Sequence, residues 1–234
     1  MPGQPSIRAW RPSGAPRIVA DVTKNRLEAF SDGVFAIAIT LLVIELHTPE
    51  VGEGGSLAAA LWAQWPSYVA YLVSFLTIGV IWLNHHRVFT QVALVDGPLL
   101  VLNLVVLLWT ALIPFPTAVV ARYLGQGGEH AETAVAFYSG VFVLLGLSFG
   151  ALFVWITRDD RLLQRLPPPE VVRAARLRFT LGEAVYLLAL GLSFVWPPAA
   201  LALHAAMALY YAFDQASVPA TPAPGQGRPS RRPA

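Results

Sequence analysis

The residues able to do chemistry are few, and they sit inside long apolar runs. Asp32, Glu45 and His47 belong to the first run, and the pair His85-His86 closes the second. Asn103 lies in the third, Glu183 in the fifth and His204 in the sixth. An acid at mid-membrane depth costs roughly 2.5–3.5 kcal/mol on insertion scales, so such groups mark ion or proton paths, or tie helices together. The plainer role is the tie, at about 1 kcal/mol per interhelical hydrogen bond. No metal or haem site is expected: His47, His85 and His204 fall at different depths, and no HxxxH or carboxylate–histidine cluster completes a shell. The chain has no cysteine, which excludes disulfides, thiolate catalysis and cysteine-ligated metal. GxSxG, HExxH and paired acids on facing helices are missing as well, so no enzyme is expected.

The elements that must position these groups follow from composition. Of 234 residues, 56% are hydrophobic and 13% charged, and the mean hydropathy is +0.57. A soluble domain of this size has too little interior to hide that much apolar surface. Ordinary soluble enzymes, disordered chains and nucleic-acid-binding domains are excluded, leaving an all-α membrane protein whose partner is the lipid bilayer. Six stretches meet the requirement of about 20 mostly apolar residues: Leu27–Leu46, Gln64–Leu83, Pro98–Ala121, Ala134–Thr157, Leu177–Trp196 and Pro198–Asp214. The fifth and sixth are expected to form a hairpin around Trp196-Pro197-Pro198. Residues 1–25 read as a cytoplasmic N-terminal tail without the apolar core of a cleavable signal. Residues 26–214 form the six-helix domain, and the Pro-, Gly- and Ala-rich stretch 215–234 reads as a disordered cytoplasmic tail. No internal repeat or broken helix suggests an inverted-repeat carrier.

Orientation comes from the basic residues. With six spans, Arg8, Arg11, Arg17, Lys24 and Arg26, then Arg87, then six arginines from Arg158 to Arg178, then Arg228, Arg231 and Arg232 all fall on one side. Only Arg122 falls on the other, with Glu50, Glu53, Glu129 and Glu132. Both termini are therefore expected in the cytoplasm, with the chain in the cell membrane. At about 1.5 Å per residue, Asp32 lies about 9 Å and Asn103 about 8 Å inside that boundary. Span two runs inward to His85, so Arg26, Ser31, Asp32, His85 and Asn103 share the cytoplasmic third of the membrane. An imidazole and an amide can supply the donors a buried carboxylate needs. Ile37, Thr40, Leu41 and Ile44 share one helix face by their i, i+3, i+4, i+7 spacing, although any apolar helix yields such a stripe.

The segment from Arg26 through Phe30-Ser31-Asp32 to Thr40 resembles the RxxxFSD signature that opens the first helix of prokaryotic potassium channels related to the lysosomal channel called transmembrane protein 175. Trp82, Asn84-His85-His86-Arg87-Val88-Phe89 and Leu112-Ile113-Pro114-Phe115-Pro116-Thr117 are similar to further family segments in spans two and three. The resemblance covers spans one to three; spans four to six match in hydropathy and count alone. It implies a non-canonical potassium channel, a homotetramer of six-helix subunits lacking the TVGYG filter, a motif this sequence also lacks. It further implies that the first helix lines the pore through Ile37, Thr40, Leu41 and Ile44, with Ile37 as the ring nearest the signature. The anchoring network would comprise Arg26, Phe30, Ser31, Asp32, His85 and Asn103, with His85 favoured over His86 by its offset from Arg87 and Phe89.

The implied function is a pore modestly selective for potassium over sodium. Four Ile37 side chains would form a constriction at which an ion sheds water, and Thr40 would offer oxygens to a passing potassium ion. The only ligand expected is that permeant ion; no cofactor, resident metal, nucleic acid or second protein is implied. The alternative is a proton- or cation-coupled secondary transporter using Asp32, His85 and Glu183.

Overall fold

The structure is a computed structural model, and it describes residues 23–216. Eight helices account for most of them: α1 (Lys24–Leu41), α2 (Leu57–Ala63), α3 (Trp65–Thr90), α4 (Gly97–Leu112), α5 (Pro114–Tyr123), α6 (Gly128–Arg158), α7 (Pro169–Ser193) and α8 (Pro197–Ala216). Four stretches are long and apolar enough to cross a bilayer: Lys24–Glu45, Trp65–Thr90, Gly97–Gln126 and Gly128–Arg158. Two further helices, α7 and α8, reach 25 and 20 residues. The expected tails fall outside the described residues, apart from their inner edges, where α1 starts at Lys24 and α8 continues to Ala216.

Two departures from the sequence expectation bear on the site. The third apolar run is not one straight helix, because Pro114 has no N–H to return to the Thr110 carbonyl. Ile113 N bonds Thr110 O instead, at 3.2 Å, and the span kinks between α4 and α5 while the backbone at Ile113 stays helical. The second helix also continues past His85-His86 to Thr90, so both histidines lie a turn inside it. The short helix α2 between the first two long helices was not anticipated. Ser56 caps it, and Trp62 within it is 80% exposed.

Packing centres on α6, which touches α4, α5, α7 and α8, while α3 lies against α1, α5 and α8. The helix α1 packs on α3 and α4, and α7 on α6 and α8. Buried polar groups fasten the middle of the bundle. Thr117 Oγ1 donates to the Ile113 carbonyl at the kink, 2.8 Å away. With its only proton spent there, Thr117 must accept from Ser74 Oγ (2.8 Å), which in turn accepts from Tyr138 Oη (3.0 Å). All three side chains are buried, so α3, α5 and α6 share one directional chain. Next to Tyr138 on α6, Ser139 Oγ lies 2.9 Å from His204 Nε2 of α8.

Loops at one end are bonded to each other. Ala93 N donates to Leu162 O at 2.7 Å, and Gln164 N to Gln91 O at 2.8 Å. Asp159 caps the turn before Leu162, and the guanidinium hydrogen-bonded to it from Arg161 holds its carboxyl down to about 2. Asp96 closes the same end: its Oδ1 accepts from Leu99 N at 2.9 Å as the N-cap of α4, and both oxygens accept from Trp155 Nε1 at 3.2 Å. Asp96→Ala removes the cap and strands the indole, a loss of about 1–2 kcal/mol. It should lower the thermal unfolding midpoint in detergent, and Asp96→Asn, which still caps, should lower it less.

Candidate functional site

The site is built on the two sides of α1. Thr23 caps the helix, with Oγ1 accepting from Arg26 N at 3.4 Å. Leu27, Ser31, Phe35, Ala38 and then Leu42 turn inward at helical spacing and are buried. This stripe holds α1 on α3 and α4. The opposite face is uncovered: Ile37 is 60%, Leu41 40% and Ile44 65% exposed. Leu42–Glu45 tightens into a 3-10 turn, where hydrogen-bond geometry is poorer than in an α-helix.

One polar residue lies in the buried stripe, and it is fully satisfied. Ser31 Oγ donates to its own helix at Leu27 O, 2.9 Å away, and accepts from Asn103 Nδ2 at 3.0 Å. Asn103 Oδ1 then faces His85 Nε2 at 2.8 Å. Because the amide nitrogen is committed to Ser31, the oxygen must accept, which makes His85 Nε2 the protonated nitrogen. Ser31, Asn103 and His85 are all buried. The imidazole is fixed from its flat sides as well. Phe89 stacks on it at 4.2 Å between centroids, and Phe35 of α1 tilts against it at 5.3 Å. Three helices thus meet through one amide.

Asp32 does not enter this cluster. It is exposed and points along a different side of α1, where it accepts from Trp82 Nε1 at 2.8 Å. The Trp82 indole stacks on His86, the exposed member of the histidine pair, at 6.3 Å between centroids. The Asp32–Trp82 bond borders an open groove of about 400 Å³ between α1 and α3, also lined by Ala36, Ile39 and Ile78. Arg26 and Phe30 are exposed, Phe30 by 54%. The structure therefore brings Ser31, His85 and Asn103 together and pairs Asp32 elsewhere. It leaves Arg26 and Phe30 on the outer side of α1 with Ile37, Thr40, Leu41 and Ile44.

Two contributors had no role in the sequence reading. Trp82 is the donor to Asp32, and Phe35 is the α1 ring against His85. A signal existed for the first, since an indole N–H in an apolar helix needs an acceptor, and Trp82 lies three residues before His85. Thr40, on the uncovered face, is bonded within its own helix: Oγ1 donates to the Ala36 and Ile37 carbonyls, both at 2.9 Å. That commits its proton and leaves its oxygen lone pairs for a ligand. Glu183 and His204 lie elsewhere in the bundle, Glu183 in a separate cavity among α3, α6, α7 and α8. Among the described residues, no group of three or more His, Asp and Glu could hold a metal ion.

Comparison with known proteins gives concordant matches. The profile of a family described as the endosomal/lysosomal potassium channel TMEM175 matches residues 26–114. A protein of Streptomyces collinus named a potassium channel is 50% identical over 195 residues, 83% of this chain and 94% of that protein. A crystal structure of a Chamaesiphon minutus homologue of the lysosomal potassium-selective channel TMEM175 superposes with a TM-score of 0.74 at 36% identity. It covers 82% of this chain and 97% of that one. The mouse endosomal/lysosomal proton channel TMEM175 is 32% identical over 136 residues, 53% of this chain but 27% of the mouse protein.

The amide at the centre of the cluster has a measurable weight. Asn103→Leu leaves the Ser31 hydroxyl and the His85 N–H without their partner, at a cost of about 1–3 kcal/mol for buried groups left unpaired. Ser31→Ala removes a single bond and should cost less. Thermal unfolding of the two variants beside the wild type should rank them in that order.

Proposed function

This chain belongs to the TMEM175 ion-channel family, and from that premise we propose that it is a potassium channel whose pore is lined by α1 of four identical subunits. The family is one of ion channels, and the chain is a multi-pass membrane protein. The proposal adds six spans per subunit, with α7 and α8 as the fifth and sixth. It adds a cell-membrane location with both termini cytoplasmic, the side on which the arginines gather. No TVGYG filter or second protein is involved.

The observation that carries the pore reading is the two-sidedness of α1. Its Leu27–Ser31–Phe35–Ala38 stripe is buried within the subunit, while Ile37, Leu41 and Ile44 are left uncovered on a face that also bears a hydroxyl. One such helix encloses nothing, whereas copies related by symmetry can enclose a path. The naming of the Streptomyces and Chamaesiphon proteins as potassium channels supports the ion identity.

In this pore, four Ile37 side chains form the narrow ring. Potassium holds its hydration water less tightly than sodium and passes a partly dehydrating ring more readily. Thr40 Oγ1, its proton turned back to the helix, offers lone pairs to the stripped ion one turn further on. Four hydroxyl oxygens are a weak substitute for a carbonyl filter, so selectivity is modest. Ser31, Asn103 and His85 fix the rotation of α1, with the Asp32–Trp82 bond as a second brace and Arg26 and Phe30 at the subunit boundary. A second reading, that protons also pass, is favoured by the mouse relative's description as a proton channel.

Planar-bilayer recording with potassium on one side and sodium on the other tests the proposal. Stepwise current reversing toward the potassium equilibrium potential is expected, and saturable flux without unitary steps would favour a carrier. Ile37→Asn should raise conductance and blur ion preference; an unaltered variant would remove Ile37 from the pore. Thr40→Ala should reduce potassium preference, and a twofold fall in permeability ratio moves the reversal potential by about 18 mV. A current that shifts its reversal with an imposed pH gradient would establish the proton reading. Asp32→Ala, which leaves the Trp82 indole without an acceptor, should lower tetramer yield or open probability.

A further inference from the structure

Glu183 has no role in the α1 site, yet the helices around it are shaped to receive its carboxyl group. A methyl group at Gly146 of α6 would collide with Glu183 Oε2, so the missing side chain of Gly146 is the space the carboxyl occupies. At the neighbouring Gly182 a methyl would come within 2.6 Å of Tyr211 Oη, so a side chain there would displace that hydroxyl. The other carboxyl oxygen, Oε1, is buried and has no hydrogen-bond partner. An acid left in this condition inside an apolar bundle is costly unless something supplies a donor.

A space for that donor adjoins it. A cavity of about 230 Å³ lies among α3, α6, α7 and α8, with Glu183 in its wall. Phe142, Phe149, Phe153, Phe179 and Tyr186 line it on the aromatic side, with aliphatic and a few polar side chains completing the wall. The rings are organised, with Phe179 against Phe149 at 5.5 Å and Phe153 at 4.9 Å, and Phe142 against Tyr186 at 5.8 Å. The chemistry of the wall narrows the occupant. An alkali cation needs several oxygens, and beside Glu183 the wall offers only the side-chain oxygens of Thr77, Asn84, Tyr186 and Tyr211 amid phenylalanine rings and aliphatic groups. An apolar guest leaves Oε1 as unpaired as before. An anion would have to seat on Arg87 and Arg178, which also border the cavity but are not free, and it would face the carboxylate. A cation on an apolar body meets both demands: an N–H donates to Oε1, and the aromatic faces attract the ammonium and cover the body.

We propose that this cavity is a binding site for a small hydrophobic amine, with its ammonium on Glu183 and its apolar body among the aromatic rings. The site is separate from the α1 face and does not depend on what passes along it.

Fluorine NMR on the full chain in lipid nanodiscs at neutral pH tests this, with 4-fluorophenethylamine as the probe and 4-fluorophenylacetate as its anionic counterpart. Saturable binding of the amine is expected, without competition from the acetate. Glu183→Gln keeps the shape but loses the charge-assisted bond and should weaken binding about tenfold or more. Phe179→Leu keeps the carboxylate, loses a ring and should weaken binding by a smaller factor. Both variants should remain folded, with a cooperative unfolding transition and the basal ion flux of the wild type, which separates lost binding from lost fold. Amine binding unaffected by Glu183→Gln, preferred uptake of the acetate, or no saturable amine binding by the wild type would each overturn the assignment.

Discussion

The side-chain amide of Asn103 is the junction on which the placement of α1 depends. A buried amide presents donors and an acceptor on opposite edges, and both edges are used here, toward Ser31 on α1 and His85 on α3. Each partner is committed in turn, Ser31 to its own backbone and His85 to the rings of Phe35 and Phe89. Rotating α1 about its axis would break the Ser31 bond and pull Phe35 off the imidazole together. In a low-dielectric interior that double loss is severe, because no water replaces the missing partners. The rotational setting of α1, and hence the face left uncovered, is held by its buried apolar stripe and pinned by one polar residue on α4.

The second constraint is the proline kink. Pro114 has no N–H for the Thr110 carbonyl, and Ile113 N reaches it instead at 3.2 Å. Thr117 returns a proton to the Ile113 carbonyl and passes the chain on to Ser74 and Tyr138. The kink is thereby locked to α3 and α6, the two helices that also carry His85 and the aromatic cavity. The junction at Asn103 and the kink stand on the same span, one on each side of Thr110. A rigid α4–α5 unit is the frame against which α1 is referenced.

Much of this was legible in the amino-acid sequence for a simple reason: apolar runs and rise per residue are one-dimensional quantities. They placed Ser31, His85 and Asn103 at a common depth before any packing was known. They could not say which side of a helix each residue faces, and there Asp32 diverged. Ser31 and Asp32 are adjacent, about 100° apart on a helix, so one points at α4 and the other at Trp82. The kink was missed although Pro114 was in plain view, because the run stays apolar through it and the backbone at Ile113 stays helical. The helix α2 is seven residues long, too short to leave a periodic pattern. Trp82 stands in a family-like segment, but its hydrogen bond to Asp32, 50 positions away, leaves no local trace.

The fate of the two acids shows how the same chemical group is handled differently on the two flanks of one bundle. Asp32 lies on an exposed side of α1 and has been given an indole N–H, so its charge is held at the surface of the subunit by a single directional bond. Glu183 lies between α6 and α7, where Gly146 gives it room but no donor. Room without a donor is costly for a buried carboxyl oxygen. That asymmetry follows from the helices each acid faces: α3 carries an indole toward α1, whereas α6 carries glycine and phenylalanine toward α7. An acid set against an indole braces two helices, and an acid set against glycine and rings borders an apolar cavity instead.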